Sequence, residues 1–68
     1  MINGTRLTPR EREIVESLLR GRTNKEIANQ FGVTEQTVKN QLTTLFKKLR
    51  VSGRVALVRR VLNEQESQ

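Results

Sequence analysis

At 68 residues the chain has room for one domain, residues 1–68, and a small core. It holds neither Cys nor His, which removes disulfide staples, the usual zinc ligands and the commonest catalytic base. A formal charge of +6 points to a polyanionic partner, and apolar runs of at most four residues fall far short of the ~20 that a membrane span needs.

The first predicted helix, about 9–20, opens on Thr8-Pro9-Arg10-Glu11. Thr8 can cap, Pro9 suits the first helical position, and Glu11 can reach back to the Thr8 amide. Ile14, Val15, Leu18 and Leu19 then recur at helical spacing, and Gly21 offers a left-handed stop. Thr23-Asn24-Lys25-Glu26 repeats the capping signature for a short second helix, about 24–31, that carries Ile27, Ala28 and Phe31 inward and ends at Gly32.

Thr34 caps the third helix, about 35–50. Val38, Leu42, Leu45 and Leu49 fall within roughly 60° of one another at 100° per residue, with Phe46 at the edge of that stripe. Val51-Ser52-Gly53 reads as a turn. A fourth helix, about 54–63, follows, and residues 64–68 read as a frayed polar tail. The fold class is therefore all-α, with no strand alternation and no repeats. The N-terminal MINGTRLT has no apolar signal core, so the chain reads as intracellular.

Charge is unevenly spread. Between Arg20 and Arg60 there are ten Lys or Arg and only two acids, Glu26 and Glu35. Such an imbalance favours nucleic acid over membrane, against the plainer reading of a solvated basic surface. The third helix sharpens the choice. Its outer face collects Gln36, Lys39, Asn40, Thr43, Lys47 and Arg50 without an acid among them, whereas a merely soluble face normally mixes both signs.

A helix that enters the major groove reads base edges with its N-terminal residues, and here these are Gln36, Lys39, Asn40 and Thr43. Asn and Gln can pair with adenine, Lys can donate to guanine, and Thr can meet a base edge or a thymine methyl. Lys47, Lys48 and Arg50 lie further along, where phosphates are the natural partners. The second and third helices then form a helix-turn-helix with the third as recognition helix. Ala28 would permit their close crossing, Gly32 the positive φ of the turn, and Val33 would plug the core beneath it. Gln41 stands where many such units have an apolar residue, so that side of the crossing is expected to be more open or more polar.

LTPRERE at 7–13, Gly21, TNKEIA at 23–28, TVKNQL at 37–42, KKL at 47–49 and Val51 followed by Arg54 closely resemble the LuxR/GerE-type DNA-binding domain of bacterial transcription regulators. The likeness runs from about Leu7 to Leu62. It implies a four-helix domain that binds double-stranded DNA as a dimer, often through the fourth helix, in a response regulator or a small stand-alone regulator. By position, Lys39, Asn40 and Thr43 would face bases, and Thr23, Asn24, Lys25, Thr37, Lys47 and Arg54 would lie near phosphates. The resemblance implies no cofactor or metal and a place in the bacterial cytoplasm at the nucleoid, with RNA polymerase as a further partner. Two departures stand out: the family often has His where Gln41 stands and Ala where Leu57 stands.

The promoter-reading C-terminal region of sigma factors shares much of this grammar but lacks so substantial an apolar fourth helix. An adaptor that uses its basic surface for an acidic protein is the alternative of another class. Catalysis is not expected: capping and solvation explain Glu11, Glu13 and Glu16, Ser17 and Ser52 have no His to activate them, and no glycine-rich phosphate loop is present.

The fourth helix carries Val55, Ala56, Leu57, Val58, Val61 and Leu62, more than one face's worth of apolar residues. Either the core is generous, or Val55, Val58, Arg59 and Leu62 meet their symmetry copies in a weak homodimer that DNA strengthens.

Overall fold

The computed structural model describes residues 7–66, with side chains through Asn63. Four helices follow in chain order: α1 Pro9–Leu19, α2 Asn24–Phe31, α3 Glu35–Leu49 and α4 Arg54–Glu66. Both expected capping boxes form. The Thr8 amide donates to Glu11 Oε1 at 2.8 Å and the Glu11 amide to Thr8 Oγ1 at 3.1 Å. Thr23 and Glu26 repeat the pair at the same two distances. Thr34 accepts from the Thr37 amide at 3.1 Å, without a box because Thr37 stands where a Glu would be needed.

The first three helices end alike. Arg22, Val33 and Val51 each donate an amide to the carbonyl five residues back, on Ser17, Ala28 and Phe46, at 3.0–3.1 Å. The residue before each donor is left-handed: Gly21 at φ +78°, Gly32 at +67° and Arg50 at +56°. This is the Schellman arrangement, and Val33 and Val51 then pack against the core as its hydrophobic contact. Gly21 and Gly32 behave as expected. Arg50 does not: it leaves α3 at Leu49, one residue short of the expected end, in a backbone conformation that favours glycine. Gly53 closes the turn just before α4, its carbonyl accepting from the Leu57 amide at 3.0 Å.

α4 continues to Glu66, three residues past its expected end, because Glu and Gln are good helix formers and no Gly or Pro stops the chain there. Residues 67 and 68, the last of the expected tail, lie outside the described residues.

The core is shared by all four helices. Ile14, Val15 and Leu18 of α1, Ile27 and Ala28 of α2, the expected α3 stripe of Val38, Leu42, Leu45 and Leu49, and Leu57 and Val61 of α4 are all buried. Leu57 is fully enclosed, so the larger side chain at that position packs rather than prising α4 away. Each of the Ile, Leu and Val side chains contributes on the order of 1.5–3 kcal/mol by leaving water. Phe31 and Phe46 are only half-buried at its margin. Buried Ser17 has its hydroxyl 3.0 Å from the Glu13 carbonyl and 3.2 Å from Gln30 Oε1, so it is a satisfied link between α1 and α2.

Candidate nucleic-acid interface

Among the described residues α2 and α3 share the most extensive interhelical contact, and Ala28 on α2 is buried. Since Val38, Leu42, Leu45 and Leu49 hold one side of α3 in the core, helical geometry turns the opposite side outward. Gln36, Lys39, Asn40, Thr43, Lys47 and Arg50 are all exposed there. Two of these groups are pre-arranged. Gln36 Nε2 donates to Asn40 Oδ1 at 3.0 Å, which leaves Gln36 Oε1 as an acceptor and Asn40 Nδ2 as a donor on adjoining turns. The Thr43 hydroxyl donates to the Lys39 carbonyl at 3.0 Å, so its methyl group and oxygen lone pairs remain for a ligand.

A second group lies at the start of α2. The capping box engages the amides of Thr23 and Glu26. The amides of Asn24 and Lys25 lie in the first helical turn, where no carbonyl of α2 can reach them. Thr23 and Lys25 are exposed and Asn24 half-buried, so this is an electropositive helix end open to an anion. Thr37 is half-buried, its hydroxyl 3.0 Å from that of Thr34.

Two expected phosphate ligands are engaged inside the protein. Lys48 Nζ lies 2.8 Å from Glu11 Oε1, joining the last turn of α3 to the first turn of α1. That bond, followed by the Thr8 amide, holds the Glu11 carboxyl below its ordinary pKa. Arg54 donates from one terminal nitrogen to the Arg22 carbonyl at 3.2 Å and from the other to Asn24 Oδ1. Neither contact has a local sequence signal, since the partners lie 30 or more residues apart.

Three further cations have partners that no sequence pattern announces. Arg10 stacks 4.2 Å from the centre of the Phe31 ring, Arg22 donates to Gln30 Oε1 at 3.2 Å, and Arg60 donates to the Leu49 carbonyl at the end of α3. Gln41 is half-buried, and its side-chain carbonyl oxygen is enclosed without a hydrogen-bond partner among the described residues. Beside it lies an open cavity of about 330 Å³ between the start of α1 and the flank of α3, lined by residues of those two helices and by Thr8, and not by α2.

On α4, Leu57 and Val61 face the core while Val55 is 67% and Leu62 47% exposed. Val58 is half-buried and Arg59 exposed. A generous core therefore does not account for Val55 and Leu62. Among the described residues no helix is long and apolar enough to cross a membrane, and no group of His, Cys, Asp or Glu could hold a metal ion.

A close helix pair with a basic, acid-free outer face defines the helix-turn-helix class of DNA-binding domains. Within it, the model of the luxR family of bacterial regulatory proteins matches residues 5–61, and the chain belongs to that family of DNA-binding transcription regulators. It is 42% identical over 60 residues to the spore germination protein GerE of Bacillus subtilis, covering 88% of this chain and 81% of GerE. The nitrate/nitrite response regulator protein NarP of Escherichia coli is 39% identical over 62 residues, which are 91% of this chain but 29% of NarP. The transcriptional regulatory protein MctR of Rhizobium johnstonii is 42% identical over 57 residues, 84% of this chain and 27% of MctR. The chain thus spans most of GerE but less than a third of the other two. No solved structure gives a significant match. The family is not an enzyme class, and nothing in the fold or the relatives favours the sigma-factor or adaptor readings.

Proposed function

We propose that the chain is a single DNA-binding domain that regulates transcription by laying α3 in the major groove of duplex DNA. Gln36, Lys39, Asn40 and Thr43 read base edges, and Lys47 and Arg50 hold phosphates further along the groove. The start of α2 meets a second stretch of backbone through Thr23, Asn24 and Lys25, with Thr37 beside it at the start of α3. Lys48 and Arg54 add to the positive field while bonded within the protein. The observation that carries this reading is the outer face of α3, with Gln36, Lys39, Asn40, Thr43 and Lys47 on the helix and Arg50 just past its end, exposed and free of acids beside an open helix N-terminus.

Two copies meet weakly through Val55, Val58, Arg59 and Leu62 of α4 and more firmly on paired half-sites. The exposure of Val55 and Leu62 supports that seam. Full regulators of the NarP kind are longer than this chain, so either an effector domain or a small GerE-like regulator fits. The domain works in the bacterial cytoplasm at the nucleoid, without catalysis or a cofactor, and with RNA polymerase as a further partner.

Selection of bound sequences from random duplexes, followed by footprinting across a salt series, tests the proposal. Contact with ~4–6 phosphates gives a log–log slope of about −3 to −6 per protomer. An affinity flat between low and physiological salt, or an absence of any protected site, would falsify it.

A further inference from the structure

Arg54 opens α4 and Asn24 opens α2, 30 residues apart in sequence and joined side chain to side chain. The same guanidinium also donates to the backbone carbonyl of Arg22, just ahead of the α2 cap, at 3.2 Å. Both side chains are half-buried. The two acceptors are held by two different terminal nitrogens of one planar fork, a fixed geometry that a Lys ammonium on a flexible stem does not reproduce.

We propose that Arg54 is a positioning residue for DNA binding, setting which end of the Asn24 amide faces the phosphate backbone. An Asn side chain has a carbonyl oxygen that a phosphate repels and an NH₂ group that a phosphate accepts from. With Asn24 Oδ1 held by Arg54, the amide turns its NH₂ group away from Arg54, and that group joins the open amides of Asn24 and Lys25 as a donor. Turning Arg54 outward to a phosphate instead would strand two half-buried acceptors. The bond also fixes the α2 anchor to the helix that carries Val55 and Leu62, so any seam between copies is held in register with the phosphate contact. This inference rests on the DNA-binding reading above.

Five variants on a selected duplex test it, with thermal unfolding of each free protein. Arg54→Lys keeps the charge and loses the fork. It is expected to weaken binding roughly tenfold, the effect of one charge-assisted hydrogen bond, with the salt slope unchanged. Asn24→Ala is expected to weaken binding as much, and adding it to Arg54→Lys costs less than a further factor of two, because the two act as one unit. Asn24→Asp keeps an acceptor for Arg54 but presents a carboxylate to DNA, so it stays folded and loses more than tenfold in affinity. Arg54→Lys binding like the wild type, additive losses in the double variant, or an Arg54→Ala slope shallower by about 0.9 would each overturn the assignment, the last by making Arg54 a direct phosphate ligand. A wild-type chain that binds no duplex overturns the DNA-binding reading itself. Arg54→Lys unaffected on a duplex that the wild type binds overturns only the role of Arg54.

Discussion

Lys48 Nζ donates to Glu11 Oε1 across 2.8 Å, so the last turn of α3 and the capping box of α1 share one carboxylate oxygen. Glu11 thereby closes the N-terminus of one helix and anchors another. The Lys48 bond first, and the Thr8 amide second, favour its charged form and lower its pKa.

A carboxyl with a lowered folded-state pKa adds stability above its unfolded value, and loses it as pH falls through the folded one. Glu11→Gln is therefore expected to lower the thermal midpoint at neutral pH. The gap to the wild type should close as pH drops below the ordinary carboxylate range, about 4. Thermal scans at stepped pH check this, and a gap that persists in acid would remove the ion pair as its cause.

Arg50 sits at φ +56° in the position that Gly21 and Gly32 fill at the ends of α1 and α2. A non-glycine residue in that region costs about 1–2 kcal/mol, while the looser unfolded chain of a Gly variant gives back about 0.4–1. Arg50→Gly is expected to gain roughly 0.5–1 kcal/mol and raise the midpoint by about 2–8 °C. It should also weaken DNA binding and make the salt slope shallower by about 0.9, if Arg50 holds a phosphate. A variant that gains stability and keeps its slope would leave Arg50 with no part in binding.

What the sequence made legible here is what lies within a turn or two of itself. The Thr8–Glu11 and Thr23–Glu26 boxes, the Val38-Leu42-Leu45-Leu49 stripe and the Gly32 turn each depend on neighbours three to five residues apart, and all form. Lys48–Glu11, Arg54–Asn24 and Arg60–Leu49 depend on how the helices finally pack, and nothing local announces them. Arg50 escaped for another reason. No glycine stands at position 50 to signal a left-handed stop, and Val51 packs against the core just beyond Arg50. The outer face of α3 was legible as a pattern, because burying one stripe determines which residues turn away from it. The Gln36–Asn40 bond across that face was not singled out, since an exposed i, i+4 amide pair forms only when both rotamers agree.

Lys39→Ala and Asn40→Ala are each expected to cut discrimination between a selected operator and random duplex by about 1–3 kcal/mol. Lys47→Ala should weaken both by similar factors and make the slope shallower by about 0.9. Lys48→Ala should change the slope less and the thermal midpoint more, because its ammonium is bonded to Glu11. Gln36→Ala combined with Asn40→Ala should cost less than the sum of the two, since their amides are joined at 3.0 Å. Competition gel shifts against both duplexes separate these outcomes. Uniform losses across all the variants would mean that the base-reading and phosphate-holding roles are wrongly divided.

The seam on α4 makes the sharpest demand, because its residues sit next to true core residues on the same short helix. Leu57 and Val61 are fully enclosed, while Leu62 is 47% exposed. Leu57→Glu should bury a charge and unfold the domain. Leu62→Glu should leave it folded, since the new carboxylate can reach water and Glu is as good a helix former as Leu. If copies meet across a two-fold axis at Leu62, the substitution sets two like charges near each other and weakens pairing alone. The variant is then expected to bind one half-site as the wild type does and to lose cooperative occupancy of two. Circular dichroism with gel shifts on single and paired half-sites checks each part. Full cooperativity in a folded Leu62→Glu variant would move the seam off Leu62, because no two-fold contact centred there could hold two facing carboxylates without a measurable loss.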